Sequence, residues 1–203
     1  MNNQLLLTLI LGSMLWYTII YIVSVSPAQL EKVFGEKSYS ICSILRKISF
    51  VGLITFTLGE ILFLKFPVET SLNLRLFNGL VGWIISVIIG LLICIPATKL
   101  ITAAAKVAND SITTKKENTM YGGIYDKIRH PQAIGDVLYW IAMAFFFNTT
   151  LLLLITLIWI PLNYIIVRFE EKDLIIRYGQ SYINYMAKTG RFIPQKNNKH
   201  NNY

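Results

Sequence analysis

Long apolar runs without charge constrain this chain more than any other feature. They recur along the sequence, and each approaches the roughly 20 residues that a helix needs to cross a bilayer. Every backbone amide and carbonyl in lipid must be paired within the protein, and the alternating pattern of a membrane barrel is missing from the sequence. The sequence therefore predicts an all-α, polytopic membrane protein with about five transmembrane helices and a cytoplasmic C-terminal amphipathic helix.

The five expected spans cover residues 5–25, 48–64, 79–97, 131–147 and 150–169. Pro96 is expected to bend or end the third span, and Pro161 to kink the fifth. The fourth span is short, because its charge-free part, 137–147, covers only about 16 Å against a hydrocarbon core of about 30 Å. Its first turn is therefore expected to lie below the headgroups or to line a wet recess. The tight turn at 148–150 makes the last two spans antiparallel neighbours.

Basic residues predict the orientation. With the N-terminus outside, 17 of the 19 Lys and Arg residues lie on the inner side, and only Lys65 and Arg75 lie outside. The net charge of +8 then reflects contact with anionic headgroups, and no nucleic-acid partner is expected. Segment 4–26 lacks the basic leader of a secretory signal, so we expect a retained first helix. The prediction is an integral protein of the cell inner membrane or an equivalent membrane, with its active site and C-terminus in the cytoplasm.

The polar residues divide the chain into three expected parts. Residues 1–100 form an N-terminal three-span region, and 101–194 contain a cytoplasmic loop, a two-span hairpin and a C-terminal helix. Residues 195–203 are rich in Asn and Lys and are expected to be a disordered tail.

Cys42 and Cys94 are far apart, so neither a disulfide framework nor a metal knuckle is predicted. No metal site is expected, and the nucleotide-loop, zinc-helix and serine-elbow motifs are missing from the sequence.

The basic turn before the fourth span is the first candidate site. Pro131 suits the first position of a helix, because it lacks the amide hydrogen that would be unpaired there. His130 then stands at the helix entrance, where free amides and the helix dipole favour an anion, and Arg129 and Lys127 add positive charge. The alternative interpretation is that the cations only anchor the helix at the headgroups and that the histidine is a solvated loop residue.

Adjacent carboxylates at the end of the fifth span, Glu170 and Glu171, form the second candidate site. Negative charge is not favoured near the C-terminal end of a helix. One of the two carboxylates is expected to hold hydroxyls or an ammonium of a cofactor. The alternative is a solvated helix face on which Glu171 pairs with Arg168. Glu60, a lone carboxylate in the second span, is either functional or reaches the outer interface.

Taken in order, the C-terminal motifs resemble a known family. The matching residues are Gly123-Ile124-Tyr125, Ile128-Arg129-His130-Pro131, Gly135, Tyr139-Trp140, Glu170-Glu171, Leu174, Tyr178-Gly179, Tyr182, Tyr185 and Arg191-Phe192-Ile193-Pro194. This ordered set resembles the isoprenylcysteine carboxyl methyltransferase and phospholipid methyltransferase group of membrane enzymes. The first three spans match that group only in being apolar.

The resemblance implies S-adenosylmethionine as methyl donor and a lipophilic acceptor, either isoprenylcysteine carboxylate-like or phospholipid-like. Carried over by position, the cofactor-binding residues are Met120, Tyr125, His130, Pro131, Gln132, Ala133, Tyr139, Trp140 and Glu170, with segment 117–120 flanking the pocket. Arg129 and Glu171 are the expected catalytic residues. Arg168 is the expected substrate-binding residue.

Two departures from the family pattern concern the acceptor. Ala133 stands where the family commonly has Tyr, and Ile166 stands where prenylcysteine enzymes place a substrate-holding Arg. The predicted mechanism is direct in-line transfer with the reacting groups held about 3–3.5 Å apart. A carboxylate acceptor needs no base, whereas an ammonium or thiol must first lose a proton to Glu171 or His130.

Two other functions remain open on the sequence. A membrane ene-reductase of the steroid reductase type would use NADPH, and Gly135-Asp136 and Trp140 echo its pattern. A non-catalytic membrane protein that retained the hairpin is the second alternative. The oligomeric state is not predicted.

Overall fold

The computed structural model describes residues 3–65, 74–108 and 122–195. These ranges contain seven α-helices and one 3₁₀ turn, with no β-strand. The helices are α1 (Asn3–Ser24), α2 (Pro27–Phe34), α3 (Lys37–Lys65), α4 (Gly79–Val107), α5 (Pro131–Phe146), α6 (Thr150–Tyr178) and α7 (Gln180–Lys188), and the 3₁₀ turn is Gly123–Asp126. The all-α prediction is confirmed.

Four helices, α1, α3, α4 and α6, are long and apolar enough to cross a membrane. Most of α4 carries exposed apolar side chains, as lipid-facing helices do. The predicted fourth span is α5, whose 16 residues reach only about 24 Å at 1.5 Å per residue. The polytopic membrane architecture is thereby confirmed, with α5 as its short member.

Three helices extend beyond the spans expected from hydropathy. Helix α3 begins at Lys37 rather than at residue 48, α4 continues to Val107, and α6 continues to Tyr178. Hydropathy marks the part of a helix that lies in lipid, whereas helix-favouring residues carry the backbone further. Neither internal proline ends its helix, and α6 stops at Gly179, whose φ of 54° favours glycine. Helix α6 thus continues nine residues beyond the predicted end of the fifth span at residue 169.

Glycines allow α1 and α3 to pack closely. A Cβ at Gly52 would lie 2.6 Å from the Trp16 side chain, and a Cβ at Gly59 would lie 2.8 Å from Ile10. Small residues at helix contacts let backbones approach within a membrane. One core cluster then unites side chains from α1, α3, α5 and α6. The N-terminal helices thus pack directly against the two helices that carry the candidate site.

A hydrogen-bonded turn joins α5 to α6. Asn148 has a φ of 51°, and its side chain bonds both the amide and the carbonyl of Phe77, at 3.0 and 2.8 Å. The turn is therefore tied to the segment that enters α4. On the other side of α5, Gly135 permits contact with α4, because a Cβ there would lie 2.6 Å from Ile101 and 3.0 Å from the Ala97 carbonyl.

A carboxylate of α6 holds α2 in place. Oδ1 of Asp173 accepts hydrogen bonds from the amides of Ala28 at 2.7 Å and Gln29 at 3.0 Å. Pro27 has no amide hydrogen, so these are the first two amides of α2 that can donate. Asp173 is 1% exposed and sits at the positive end of the α2 dipole. This contact fixes the link between α1 and α3 beside the end of α6.

Candidate active site

Two segments distant in sequence meet at the start of α5. The amide of Arg129 donates to the Gly190 carbonyl at 2.9 Å, and the amide of His130 donates to the Arg191 carbonyl at 3.1 Å. Pro131 then begins α5, as predicted. The residues after α7 therefore lie beside the basic turn and carry Arg191 to the same place.

Glu171 is the centre of a cluster of charged side chains at this point. Its Oε1 accepts hydrogen bonds from Nε and Nη2 of Arg129, at 3.0 and 2.9 Å. Nη2 of Arg191 donates to Oε2 at 2.6 Å, and Nε of Arg191 lies 3.1 Å from both oxygens. The Glu171 and Arg129 side chains are only 4% and 7% exposed. Two guanidinium groups thus clamp one buried carboxylate, which is the strong form of such a contact.

His130 bridges the two adjacent carboxylates. Its Nε2 lies 3.2 Å from Oε1 of Glu171, and its Nδ1 lies 3.4 Å from Oε2 of Glu170. Burial by itself lowers the pKa of His130, but hydrogen bonds and charge from Glu170 and Glu171 outweigh it and raise this pKa above its usual value. The geometry therefore favours the imidazolium form.

Helix α7 closes this cluster from the side of the 3₁₀ turn. Nη1 of Arg129 donates to the carbonyls of Met186, at 3.0 Å, and of Thr189. The Tyr185 hydroxyl donates to the Tyr125 carbonyl at 2.7 Å, and Tyr182 is almost fully buried. The amphipathic C-terminal helix expected from the sequence is therefore folded over the hairpin.

The structure brings together some of the predicted site residues and separates others. Arg129, His130, Glu170 and Glu171 form the cluster, with Pro131, Gln132 and Ala133 in the adjoining first turn of α5 and buried Tyr125 in the 3₁₀ turn. Arg168 is exposed and Lys127 is exposed. Glu171 pairs with Arg129, Arg191 and His130, in contrast to the alternative interpretation in which it pairs with Arg168 on a solvated helix face. Met120 and the flanking segment 117–120 lie outside the described residues, as does the expected tail beyond residue 195.

Tyr139 and Trp140 lie further along α5 than the charged cluster. At 1.5 Å per residue, Tyr139 is roughly 14 Å along the helix from His130. Trp140 is buried and meets Phe56 of α3 edge to face, with ring centroids 4.7 Å apart. The two aromatic residues are therefore part of the membrane-embedded core between α3 and α5.

Asp136 forms a second polar centre, one that the sequence did not assign. Its Oδ1 accepts from Nε1 of Trp140 at 3.2 Å. Its Oδ2 accepts from Nε1 of Trp159 at 2.6 Å and from Nδ2 of Asn163 at 3.1 Å. Asp136 thus has three side-chain donors at the end of the first turns of α5. These contacts fix α5 against α6 and orient both tryptophan rings.

An apolar pocket adjoins these two tryptophans. It is a small cleft of about 10 Å³, partly open to the outside, between α1, α3, α5 and α6. Its lining includes Tyr17, Phe56, Trp140 and Trp159. One turn beyond Phe56 on α3, Glu60 is buried rather than at the interface, and its Oε2 meets no donor among the described residues.

Arg191, Asp136 and the aromatic residues of α1 are the site features that sequence reasoning missed. Arg191 belongs to the C-terminal motif Arg191-Phe192-Ile193-Pro194, but the sequence predicted no role for it. Asp136 stands four residues before Trp140, the spacing at which helical side chains meet, so a local signal existed for that pair.

A family model described as phospholipid methyltransferase matches residues 78–181, just over half of the chain. The matched range contains α4, α5, the cluster carboxylates and His130, and it ends before Arg191. No curated protein and no solved structure matches the chain.

Proposed function

The chain belongs to the phospholipid methyltransferase family, and from this premise we propose that it transfers a methyl group from S-adenosylmethionine to a lipophilic acceptor. The transfer takes place at the cluster of His130, Glu170 and Glu171. Membership of the family supports a membrane methyltransferase in general. The donor, the acceptor class and the site residues are our proposal.

The observation that carries the proposal is the position of the His130 imidazole between the Glu170 and Glu171 carboxylates. These groups come from the start of α5 and from α6, roughly 40 residues apart, and they converge in one partly buried place. If the two carboxylates only formed a solvated helix face, they would not contact the His130 imidazole. Clustered titratable groups with opposed environments are typical of functional sites.

The residues present fit S-adenosylmethionine. Glu170 is 31% exposed in its side chain and is oriented by His130, so its carboxylate suits an ammonium or ribose hydroxyls. His130 places no side-chain cap on the first turn of α5, whose amides at Gln132 and Ala133 suit a carboxylate group. Tyr125 adds a buried aromatic ring nearby. When bound, S-adenosylmethionine supplies a methyl group on an activated sulfonium.

The residues of the cluster differ in what they do. Glu171 is fully engaged by two guanidinium groups and the imidazole, so it is a poor proton acceptor. We propose that Glu171 and Arg129 position His130, and that His130 in turn orients Glu170 toward the donor. Arg129 also ties α7 over the cluster, which keeps water from the reacting groups. With a carboxylate acceptor the enzyme then acts by holding donor and acceptor in line: the carboxylate oxygen bonds to the methyl carbon as the sulfonium–methyl bond breaks, and S-adenosylhomocysteine leaves. An ammonium acceptor must first release its proton to solvent, because Glu171 is fully engaged.

Positive-inside charge supports a cytoplasmic location for this cluster and for the C-terminus, with the N-terminus outside. The water-soluble donor then enters from the cytosol. The acceptor, isoprenylcysteine carboxylate-like or phospholipid-like, enters from the bilayer between helices.

Ligand protection tests the proposal. The purified protein in detergent is heated with S-adenosylmethionine or with NADPH, and the melting temperature is recorded. We expect S-adenosylmethionine alone to raise it, Glu170→Gln to weaken donor binding, and the exposed Glu36→Gln to leave donor binding unchanged. Stabilisation by NADPH alone would instead identify the ene-reductase. A donor affinity that is the same with and without Glu170→Gln would refute the assigned site.

A further inference from the structure

An aromatic wall leads from the apolar pocket toward the polar end of the helices. Tyr17 of α1 lines the pocket and lies against Trp159, with ring centroids 5.5 Å apart. Tyr17 stacks on Tyr21, one turn further along α1, at 5.0 Å and 21° between ring planes. The Arg46 guanidinium of α3 lies over the Tyr21 ring, 5.7 Å from its centroid. The wall therefore ends in a cation.

Arg46 retains capacity to bind a ligand. Its Nη2 donates to the Ser24 carbonyl at 3.2 Å, while its buried Nε meets no acceptor among the described residues. Within those residues no carboxylate lies at salt-bridge distance from it. A buried guanidinium donor without an acceptor is costly unless a ligand satisfies it.

The other arginines of the site are already occupied. Arg129 and Arg191 both direct their donors to Glu171. Arg46 instead bonds the Ser24 carbonyl at the end of α1, and α2, which follows directly, is tied to Asp173 of α6, three residues after Glu170. It therefore lies on the side of the proposed donor site without a carboxylate partner in the described part of the chain. It is thus the cation of this region that suits an incoming anion.

We propose that Arg46 binds the anionic headgroup of the acceptor while the acceptor's hydrocarbon chain lies along Tyr21 and Tyr17, toward the mouth of the apolar pocket. The headgroup is a phosphate or a carboxylate, since both accept guanidinium donors. This inference rests on the proposed methyltransferase function and names the chemistry of its acceptor. Arg46, Tyr17 and Tyr21 all precede the family-matched range 78–181, so the N-terminal helices select the acceptor.

Binding of a simple amphiphile tests this assignment independently of turnover. Dodecyl phosphate, and dodecyltrimethylammonium as its cationic counterpart, are titrated into the full-length protein in maltoside micelles. Arg46→Gln should weaken dodecyl phosphate binding roughly 10- to 100-fold, the range expected for hydrogen bonds to a charged group. The affinity of Arg46→Lys for dodecyl phosphate should lie between those of Arg46→Gln and the unaltered protein, because lysine keeps the charge but not the forked set of donors. Lys47→Gln, the exposed neighbour on α3, should leave binding unchanged.

Two methyl acceptors distinguish whether the headgroup that binds Arg46 is a carboxylate or a phosphate. S-farnesylcysteine offers a carboxylate, and phosphatidylethanolamine in mixed micelles offers a phosphate. With the true acceptor class, Arg46→Gln should raise KM much more than it lowers kcat.

Donor binding separates this inference from the proposed function. If S-adenosylmethionine binds but dodecyl phosphate binds Arg46→Gln and the unaltered protein equally, the headgroup assignment is overturned and the methyltransferase stands. The headgroup assignment is also overturned if the unaltered protein binds dodecyltrimethylammonium as tightly as it binds dodecyl phosphate. If dodecyl phosphate binding requires Arg46 but S-adenosylmethionine does not bind, the anion site stands and the methyltransferase proposal fails.

Discussion

Replacing Glu171 with glutamine removes one charge and almost no volume, so it tests the charged cluster directly. In the native protein this carboxylate accepts from Arg129, His130 and Arg191 at distances between 2.6 and 3.2 Å. The glutamine side chain would offer one neutral oxygen and would present an amide to the same donors. Arg129, with a side chain only 7% exposed, would be left without its counter-charge.

The expected loss of stability is large because the charge left behind is buried. Breaking a buried ion pair by removing one partner costs roughly 3–5 kcal/mol. For a chain of this size each kcal/mol shifts the melting temperature by about 2–4 °C, so the expected decrease is roughly 6–20 °C. The Arg191 side chain is 22% exposed, so solvent screens part of its charge. The expected decrease in melting temperature therefore lies toward the lower end of this range.

The matched variant is Glu170→Gln, one residue away on the same helix. Glu170 is 31% exposed and pairs only with His130 among the described salt bridges, at 3.4 Å. It should lose about 1 kcal/mol or less of stability but most of its affinity for S-adenosylmethionine. Both variants are followed by thermal unfolding in detergent and by donor titration. Equal melting temperatures for the unaltered protein and Glu171→Gln would refute the idea that this carboxylate holds the cluster together.

Other contacts support narrower expectations. Asp173→Ala should lower the free energy of unfolding by about 1–3 kcal/mol, since it leaves two amides of α2 without an acceptor. A melting temperature like that of Glu36→Gln would contradict this. Gly135→Ala should lower the free energy of unfolding by about 1–3 kcal/mol, because the new methyl group overpacks α5 against α4. Gly12→Ala is the control and should not destabilise the protein, since no neighbouring atom lies within 4 Å of its new Cβ. Equal unfolding curves for the two variants would refute the close contact. The folded pKa of His130 is raised, so its stabilising contribution is complete below about pH 6.5 and is lost as pH rises through the higher folded pKa. The melting-temperature difference between the unaltered protein and His130→Gln should therefore shrink above neutrality, and a difference that grows would have the wrong sign.

Local signals in the sequence predicted the elements that depend on local chemistry. Pro131 marks the start of α5 because its missing amide hydrogen belongs in the first turn of a helix. Gly179 marks the end of α6 because its backbone takes a positive φ. The convergence of the basic turn with the two carboxylates also followed, once the hairpin was recognised as antiparallel.

Partners that meet only through tertiary packing were not predictable in the same way. Arg191 reaches Glu171 because the residues after α7 bond the backbone of the basic turn, and no periodicity encodes that pairing. Arg46 reaches the Ser24 carbonyl because α3 packs on α1, a contact made by helices that look merely apolar in sequence. Tyr139 and Trp140 were assigned to the cofactor pocket by position, yet the structure places them in the core beside the apolar pocket.

The pairing of residues 129–130 with 190–191 has a consequence for how the protein is made. A ribosome must translate all seven described helices before the second guanidinium group exists to meet Glu171. A polypeptide halted before Gly190 would already have inserted its apolar helices, but it would carry that carboxylate with only one arginine beside it. The helices of the membrane scaffold thus precede the polar centre in synthesis, and the residues that follow α7 complete that centre.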